Sequence, residues 1–582
     1  MRRIPRAISW VVDVAAAASV LLCAQEVPRV KAESFSGPCR LSADILNGPR
    51  YRVTGQVVNG LNGNAIAGAK VELVGLCVLA GDGTSREQLH AETVSDRDGK
   101  FVFENQPAIS VSLSATQDGY IPLWAVRQLA DDPNGIRQIG PEGAPVTLQL
   151  APLGSISGTV RNERGELLRE AWVTIRRVRP WAGWSTLDSF NAVQTGADGS
   201  YRFIDLWPGR YFLLAEPWKG RASEPYCDAR GLAFGYLPQL YPAASGSERT
   251  TTLPLGMGEQ LTVDFQLQRA HLHHVSGTVA GGGQLVGSVQ VFDANGSDAY
   301  ITSDPSLCCH FDAWLPDGSF RIDALFGGAD GWFRGSAPVK VAGTDLNGVA
   351  LSLTRSEANQ SNKLAIEISA SDAAPPQGCP KEFAGCGFWY LTAIRALPNG
   401  YSEAGPQSTQ SGALQRDSHV RFESIDLPDG TYYFAMPPST NAYAASISSG
   451  ETDLVHNPLR VAAGQRNEPI LIVLAEGAEI EGVTTCAGRP CKAWVNAISD
   501  EPAPRLWQPE RSGVDGKFLL QGLMPASYLL FATDAMLSLD IHDEQEIAPW
   551  RAQGVTLKMH AGKNDPVNLG VIQVPLGEEA RR

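Results

Sequence analysis

The chain has 582 residues, too many for one hydrophobic core at about 100–200 residues per domain, so several domains are expected. With 43% hydrophobic and 19% charged residues it is neither disordered nor, lacking any glycine period, collagen-like, although Gly (59) and Pro (38) mark it as rich in turns. A formal net charge of −14 argues against nucleic acid as a partner and against an electrostatic grip on anionic membrane.

Residues 1–24 read as a secretory signal. Arg2, Arg3 and Arg6 form its positive end, and the apolar stretch "AISWVVDVAAAASVLLCA" follows, too short and too marked by Asp13 for a membrane span. Cleavage is expected after Ala24. The alternative is a lipoprotein modified at Cys23, against which Leu22 stands where a small residue should be. No later run of about 18 apolar residues follows, so no transmembrane segment is expected beyond the signal. The protein is therefore expected to be exported: secreted, periplasmic or on the cell surface. Nine cysteines remain outside the signal, and such a compartment permits disulfides. Candidate pairs are Cys39–Cys77, Cys379–Cys386 and Cys486–Cys491, which leaves Cys227, Cys308 and Cys309 as an odd set. Zinc is the alternative use of these thiols, but no C-x2-C pair occurs and no metal is expected.

After an N-terminal segment (25–50), the chain repeats one plan. Each unit opens on a short strand with a glycine step: "YRVTGQV" (51–57), "SISGTV" (155–160), "HHVSGTV" (273–279) and "EIEGVT" (479–484). Gly55, Gly158 and Gly277 are 103 and 119 residues apart, and the 205 residues from Gly277 to Gly482 leave room for one diverged copy. A second strand follows, as in "AKVELVG" (69–75) and "AWVTIRRV" (171–178). Then comes an Asp-Gly turn before alternating apolar residues: "DRDGKFVFEN" (96–105), "GADGSYRFID" (196–205), "LPDGSFRIDA" (315–324) and "GVDGKFLLQG" (513–522). Asp98-Gly99, Asp198-Gly199, Asp317-Gly318 and Asp515-Gly516 are read as the same hairpin turn in successive units, because Asp tolerates and Gly favours left-handed backbone. Alternation after the turn points one strand face at a core.

These signals give five β-sandwich units at 51–152, 153–270, 271–356, 357–476 (the diverged copy) and 477–576, with a short tail at 577–582. The fold class is all-β, a tandem array of about five units. Helical periodicity is confined to "PLWAVRQLADD" (122–132). Long-period repetition implies an elongated file of self-contained units whose neighbours touch at short junctions.

The stretches "VTGQVVNGLNGNAIAGAKVELVG…SDRDGKFVFENQ" (53–106) and "SGTVRNERGELLREAWVTIRRV…TGADGSYRFIDLWPGRYFLLAE" (157–216) resemble the bacterial carboxypeptidase-regulatory-like domain. The resemblance implies a transthyretin-like (prealbumin-like) Greek-key sandwich, related to Cna-B modules and grouped with carbohydrate-binding folds. It is good in units one, two and five, fair in three and poor in four. It carries no catalytic residue, because the matching motifs specify turns and a fold does not fix a function. No peptidase domain accompanies the units. Lys–Asn cross-links known in Cna-B relatives would need a lysine on the opening strand, and units two, three and five have none there.

No H-E-x-x-H, nucleophile elbow or phosphate-binding loop is present. "HAE" (90–92) and "HDE" (542–544) offer a histidine and an acid on one strand face without a third ligand, and His271 and His273 of "HLHH" would share a face. The ordinary reading of "HLHH" is a polar junction before the third unit, and no metal is expected at "HAE" or "HDE". Asp96 and Asp98 lack the remaining ligands of a calcium loop. Cys308-Cys309 beside His310 is read as a pairing partner for Cys227 rather than a reactive thiol. The expectation is thus a non-catalytic protein without cofactor, with a binding, adhesive or spacer role at the cell envelope. The alternative is carbohydrate binding: "RPWAGWSTLDSF" (179–190) places Trp181 and Trp184, with Arg179, in an expected loop where flat rings stack on sugars. A third reading, an accessory-rich hydrolase, stands last. Polysaccharide or another envelope protein is the partner class implied, while oligomeric state is left open.

Overall fold

The computed structural model describes residues 40–41, 48–79, 88–127, 136–138, 145–181, 184–216, 226–228, 230–242, 252–280, 286–293, 298–301, 310–328, 331–356, 362–370, 391–396, 402–403, 419–427, 430–436, 442–461, 467–500, 507–537, 539, 541 and 543–575. They form an all-β protein of many small sheets with two short helices. Five separate buried clusters, one in each expected unit, make up most of the core.

The strands of the first unit set the plan. Strand β1 (Arg50–Asn59) is central in one sheet, and β2 (Lys70–Leu79) is central in the other. Strand β3 (Gln88–Val94) pairs with β2, β4 (Lys100–Pro107) pairs with β1, and β5 (Ser110–Thr116) returns to β2. The helix α1 (Leu123–Arg127) follows, and β6 (Val146–Pro152) closes the unit in parallel with β1. Phe101 and Phe103 alternate inward on β4, the expected period of two, and join Val57, Leu73 and Leu113 in the core. Each such aromatic contributes about 1.5–3 kcal/mol by leaving water.

The same plan recurs. In unit two, β7 (Gly154–Arg161) opens and β8 (Trp172–Trp181) and β9 (Trp184–Gln194) form a hairpin, while β10 (Ser200–Leu206) pairs with β7 and β11 (Gly209–Glu216) with β8. In unit three β12 (His273–Ala280) lies between antiparallel β13 (His310–Leu315) and parallel β15 (Leu346–Ser352), and β14 (Gly318–Gly328) belongs to the other sheet. Unit four has β16 (Asn362–Ala370), β17 (Thr392–Ala396), β18 (Ser402–Glu403), β19 (His419–Leu427), β20 (Gly430–Ala435) and a closing β21 (Ile470–Glu476). Unit five has β22 (Ala478–Cys486), β23 (Trp494–Ser499), β24 (Lys517–Leu523), β25 (Ser527–Thr533), helix α2 (Glu544–Arg551) and β26 (Val567–Ile572). In all five units the closing strand runs parallel to the opening one.

The opening glycines have a common physical reason. A Cβ on Gly55, Gly277 or Gly482 would stand 2.3, 2.2 or 2.1 Å from a carbonyl oxygen of the closing strand, and within 2.4 Å of the Phe101, Phe311 or Phe518 ring. At Gly158 it would stand 1.7 Å from the Val263 carbonyl oxygen, with the Tyr201 ring 3.1 Å away. The aromatic ring fills the volume that the glycine leaves. In unit four the corresponding register partners are Ile368 and Val420.

Three expectations are corrected. The Asp-Gly turn is not a hairpin: β3 and β4 pair with strands of different sheets, as do β9 and β10, so the turn is a corner between two layers. Gly99, Gly199 and Gly516 take left-handed φ of 72°, 64° and 72° there. Second, Asp317-Gly318 is not the same corner. It joins β13 to β14, the position held by "WPG" (207–209) before β11, and Gly318 is close to extended. Third, the units are not a simple file of separate sheets. Strand β9 of unit two pairs in parallel with β18 of unit four, Thr186 with Ser402 and Leu187 with Glu403, which joins both units into one nine-stranded sheet. The expected helical turn is present as α1, whereas α2 was not expected.

Candidate functional site

The aromatic stretch of unit two is ordered by the β8–β9 hairpin, not a loop. Trp181 and Trp184 are its last register partners, Pro180 faces Ser185, and Arg179 faces Thr186. The side chains of Arg179, Trp181 and Trp184 lie outside the described residues. Nearer the base, Val178, Leu187 and Phe212 form a small buried cluster with Leu240 packed on it. The hairpin therefore rises from a packed base, next to the two-residue seam with unit four.

A second aromatic of this unit escaped the sequence reading. Trp207 is 40% exposed at the corner between β10 and β11. The Arg177 guanidinium lies over its ring, 5.6 Å from the centroid, and Arg177 Nη2 donates to the Pro208 carbonyl at 2.7 Å. The buried Tyr211 hydroxyl donates to the Trp207 carbonyl at 2.6 Å. The Trp207 backbone and the cation are thus both held in place, an arrangement able to receive a flat or polar ligand. The signal was available: a tryptophan in a turn falls outside the period-two pattern that buries Tyr211.

On the β2–β3 face of unit one, Glu72, His90 and Glu92 bring ligand-type atoms within 4.8 Å of one another. "HAE" therefore does have a third ligand-type neighbour, Glu72, which comes from the adjacent strand because Glu72 and Glu92 are register partners. Lys70 Nζ lies 2.8 Å from both carboxylates and supplies the cation that a metal would bring. The hydrogen bond to Glu72, then that to Glu92, holds the ammonium well above its usual range. Lys70 in turn holds Glu72 below the usual carboxylate range. The residues fit a neutralised surface cluster better than an open metal site.

The other singled-out residues have structural partners. Asp96 Oδ1 accepts the Asp98 and Lys100 amides, and Asp198 and Asp515 carboxylates accept from Ser200 and Lys517, so these acids close corners. These bonds hold Asp198 and Asp515 below the usual range. His271 and His273 end and begin different strands. His273 approaches Asp317 at 3.3 Å, and His274 pairs with Asp312 at 2.9 Å and packs at a 44° tilt against the Trp314 ring. Asp543 and Glu544 of "HDE" start helix α2 instead of a strand. An open groove is lined by Thr159, Arg161, Gln194, Arg202, Thr262 and Asp264 together with Tyr201, whose hydroxyl donates to the Val263 carbonyl at 2.6 Å.

Cys486 and Cys491 are joined in a disulfide, as expected. Cys227 is free and exposed, which corrects its expected pairing with Cys308 or Cys309. Cys23, Cys39, Cys308, Cys309, Cys379 and Cys386 lie outside the described residues. Cys77 is described only as part of β2.

No protein-family profile and no curated protein sequence matches the chain. Among solved structures it is similar to the TIE protein of Bacillus anthracis, at 11% identity over 73% of this chain and 74% of that one, with a TM-score of 0.16. It is also similar to the minor pilin GBS52 of Streptococcus agalactiae (12% identity, 38% of this chain and 95% of that, TM-score 0.19) and to the shaft pilin SpaA of Lactobacillus rhamnosus GG (9%, 38% and 98%, TM-score 0.20). At TM-scores of this size the likeness is one of strand-rich segments and does not extend to the arrangement of the chain.

Proposed function

We propose that this is an exported, non-catalytic array of five transthyretin-like β-sandwich units, at the boundaries given above, with a binding, adhesive or spacer role at the cell envelope. The units are assigned to the carboxypeptidase-regulatory-like group on the motifs of units one and two. The observation that carries the reading is the recurrence of one strand plan around five cores, with polar clusters at the surface spent on corners and ion pairs. The signal at 1–24 supports export. Fractionation of cells expressing the full chain tests it: recovery outside the cytoplasm, with no turnover of peptide or glycoside substrates, is the expected result. Cytoplasmic retention, or hydrolysis abolished by a chelator, contradicts it.

A second reading is favoured by the exposed Trp207–Arg177 pair in the same unit as Trp181 and Trp184. It is polysaccharide binding by unit two. A glycan array with Trp181→Ala, Trp184→Ala and Trp207→Ala tests it: a glycan retained by the natural chain and lost by the variants supports this site, and no retained glycan removes it.

A further inference from the structure

Two arginines of the N-terminal half are committed to the last unit. Arg127 ends helix α1 and is 5% exposed. Its Nη2 donates to the Val574 carbonyl at 2.6 Å, across 447 residues of sequence, and lies 3.9 Å from Asp534 Oδ2. Asp534 Oδ1 accepts the Val574 amide at 2.8 Å, so the same carboxylate holds the residue whose carbonyl receives the arginine. Val574 belongs to the apolar cluster under helix α2, together with Ile547 and Trp550. The second arginine, Arg210 at the start of β11, pairs with Glu546 in the first turn of α2, and both side chains are largely covered. A covered guanidinium is stable only when paired and hydrogen-bonded, and here the named partners come from unit five.

Unit five differs from its neighbours in the feature that makes these contacts. It places α2 between the strand after the corner and the closing strands, where unit three runs straight on through a hairpin. Asp543 caps α2, and Glu544 and Glu546 fill its first turn. The face is acidic and backed by its own apolar cluster.

We propose that α2 and the Asp534–Val574 corner form a docking surface whose partner is this chain's own Arg127 and Arg210, so that unit five closes back on units one and two. The array is then a closed particle in which the second unit touches the first, fourth and fifth. Unit one is joined to unit two by the apolar junction of Ile121, Leu123, Ala151 and Met257. Closure sets which faces remain open to a ligand or to another envelope protein.

Small-angle scattering on the full chain tests this. Five units in line, each about 33 Å for a ten-residue strand, would give a particle roughly 165 Å long. The natural chain is expected to be clearly shorter. Arg210→Glu and Arg127→Ala should each lengthen it, and the swap Arg210→Glu with Glu546→Arg should shorten it again. Should Arg127→Ala fail to fold, Arg210→Glu and its swap decide alone. A natural chain near the linear length, or an Arg210→Glu profile identical to the natural one, overturns the proposal.

Discussion

A hydroxyl three residues before the corner aspartate recurs in three units and was overlooked in the sequence. Ser95, Thr195 and Ser512 are all buried; each accepts an amide, from Ala69, Ala171 and Ala493, and the first two donate to the Ile66 and Leu168 carbonyls. The pattern is Ser/Thr-x-x-Asp-Gly, and position 314, ahead of Asp317-Gly318, is tryptophan. That difference distinguishes the two kinds of corner, which the Asp-Gly pair alone does not. Thr195→Ala should therefore destabilise unit two by about 1–3 kcal/mol, because it orphans a buried amide and a carbonyl. Gly158→Ala should cost about the same or more, since its Cβ meets backbone and not a movable side chain. Thermal unfolding followed in both variants checks these values, and an unchanged unit-two transition contradicts them. Glu510 is a different case. Burial raises its folded pKa above the unfolded value, so its contribution is most favourable below the unfolded carboxyl range and is lost as pH rises through the raised value. Glu510→Gln should raise the melting temperature at about pH 7 and leave it unchanged at about pH 3.

At the scale of elements, the strands were legible because period-two burial and turn chemistry are local. Helix α2 was not, although its start was written plainly: Asp543 as the cap and Glu544 and Glu546 in the first turn. Pro549 inside the helix and its length of only eight residues hid it from a search for helical periodicity. Trp550 is 1% exposed and stacks on Phe531 at 5.1 Å, so the helix covers the outer face of β25. Trp550→Ala should cost about 3–5 kcal/mol and lower the unfolding temperature of unit five. The Cys486–Cys491 bridge closes a loop beside the corner at Gly516, whose carbonyl accepts the Thr484 amide. Reduction should remove about 2 kcal/mol from the same unit in the chain-entropy picture. Equal melting curves with and without reductant would contradict it.

For the whole molecule, repetition was legible because each unit carries its own core pattern, and the diverged fourth copy could be placed by spacing. The contacts between units were not legible. The pairing of Thr186 with Ser402 joins segments more than two hundred residues apart, and the Arg127 bond to Val574 more than four hundred. Nothing periodic marks either. The hairpin at 179–186 was not legible, because tryptophan and proline in "RPWAGW" read equally as a loop. The central claim is that five cores of one plan succeed one another along the chain, each built around an opening strand bonded on both sides. Hydrogen exchange resolved along the full chain tests it most directly. The account predicts five separate groups of slowly exchanging amides, centred on β1, β7, β12, β16 and β22, with faster exchange between them. Slow exchange confined to one or two of these strands, with the others exchanging as open chain, would contradict it.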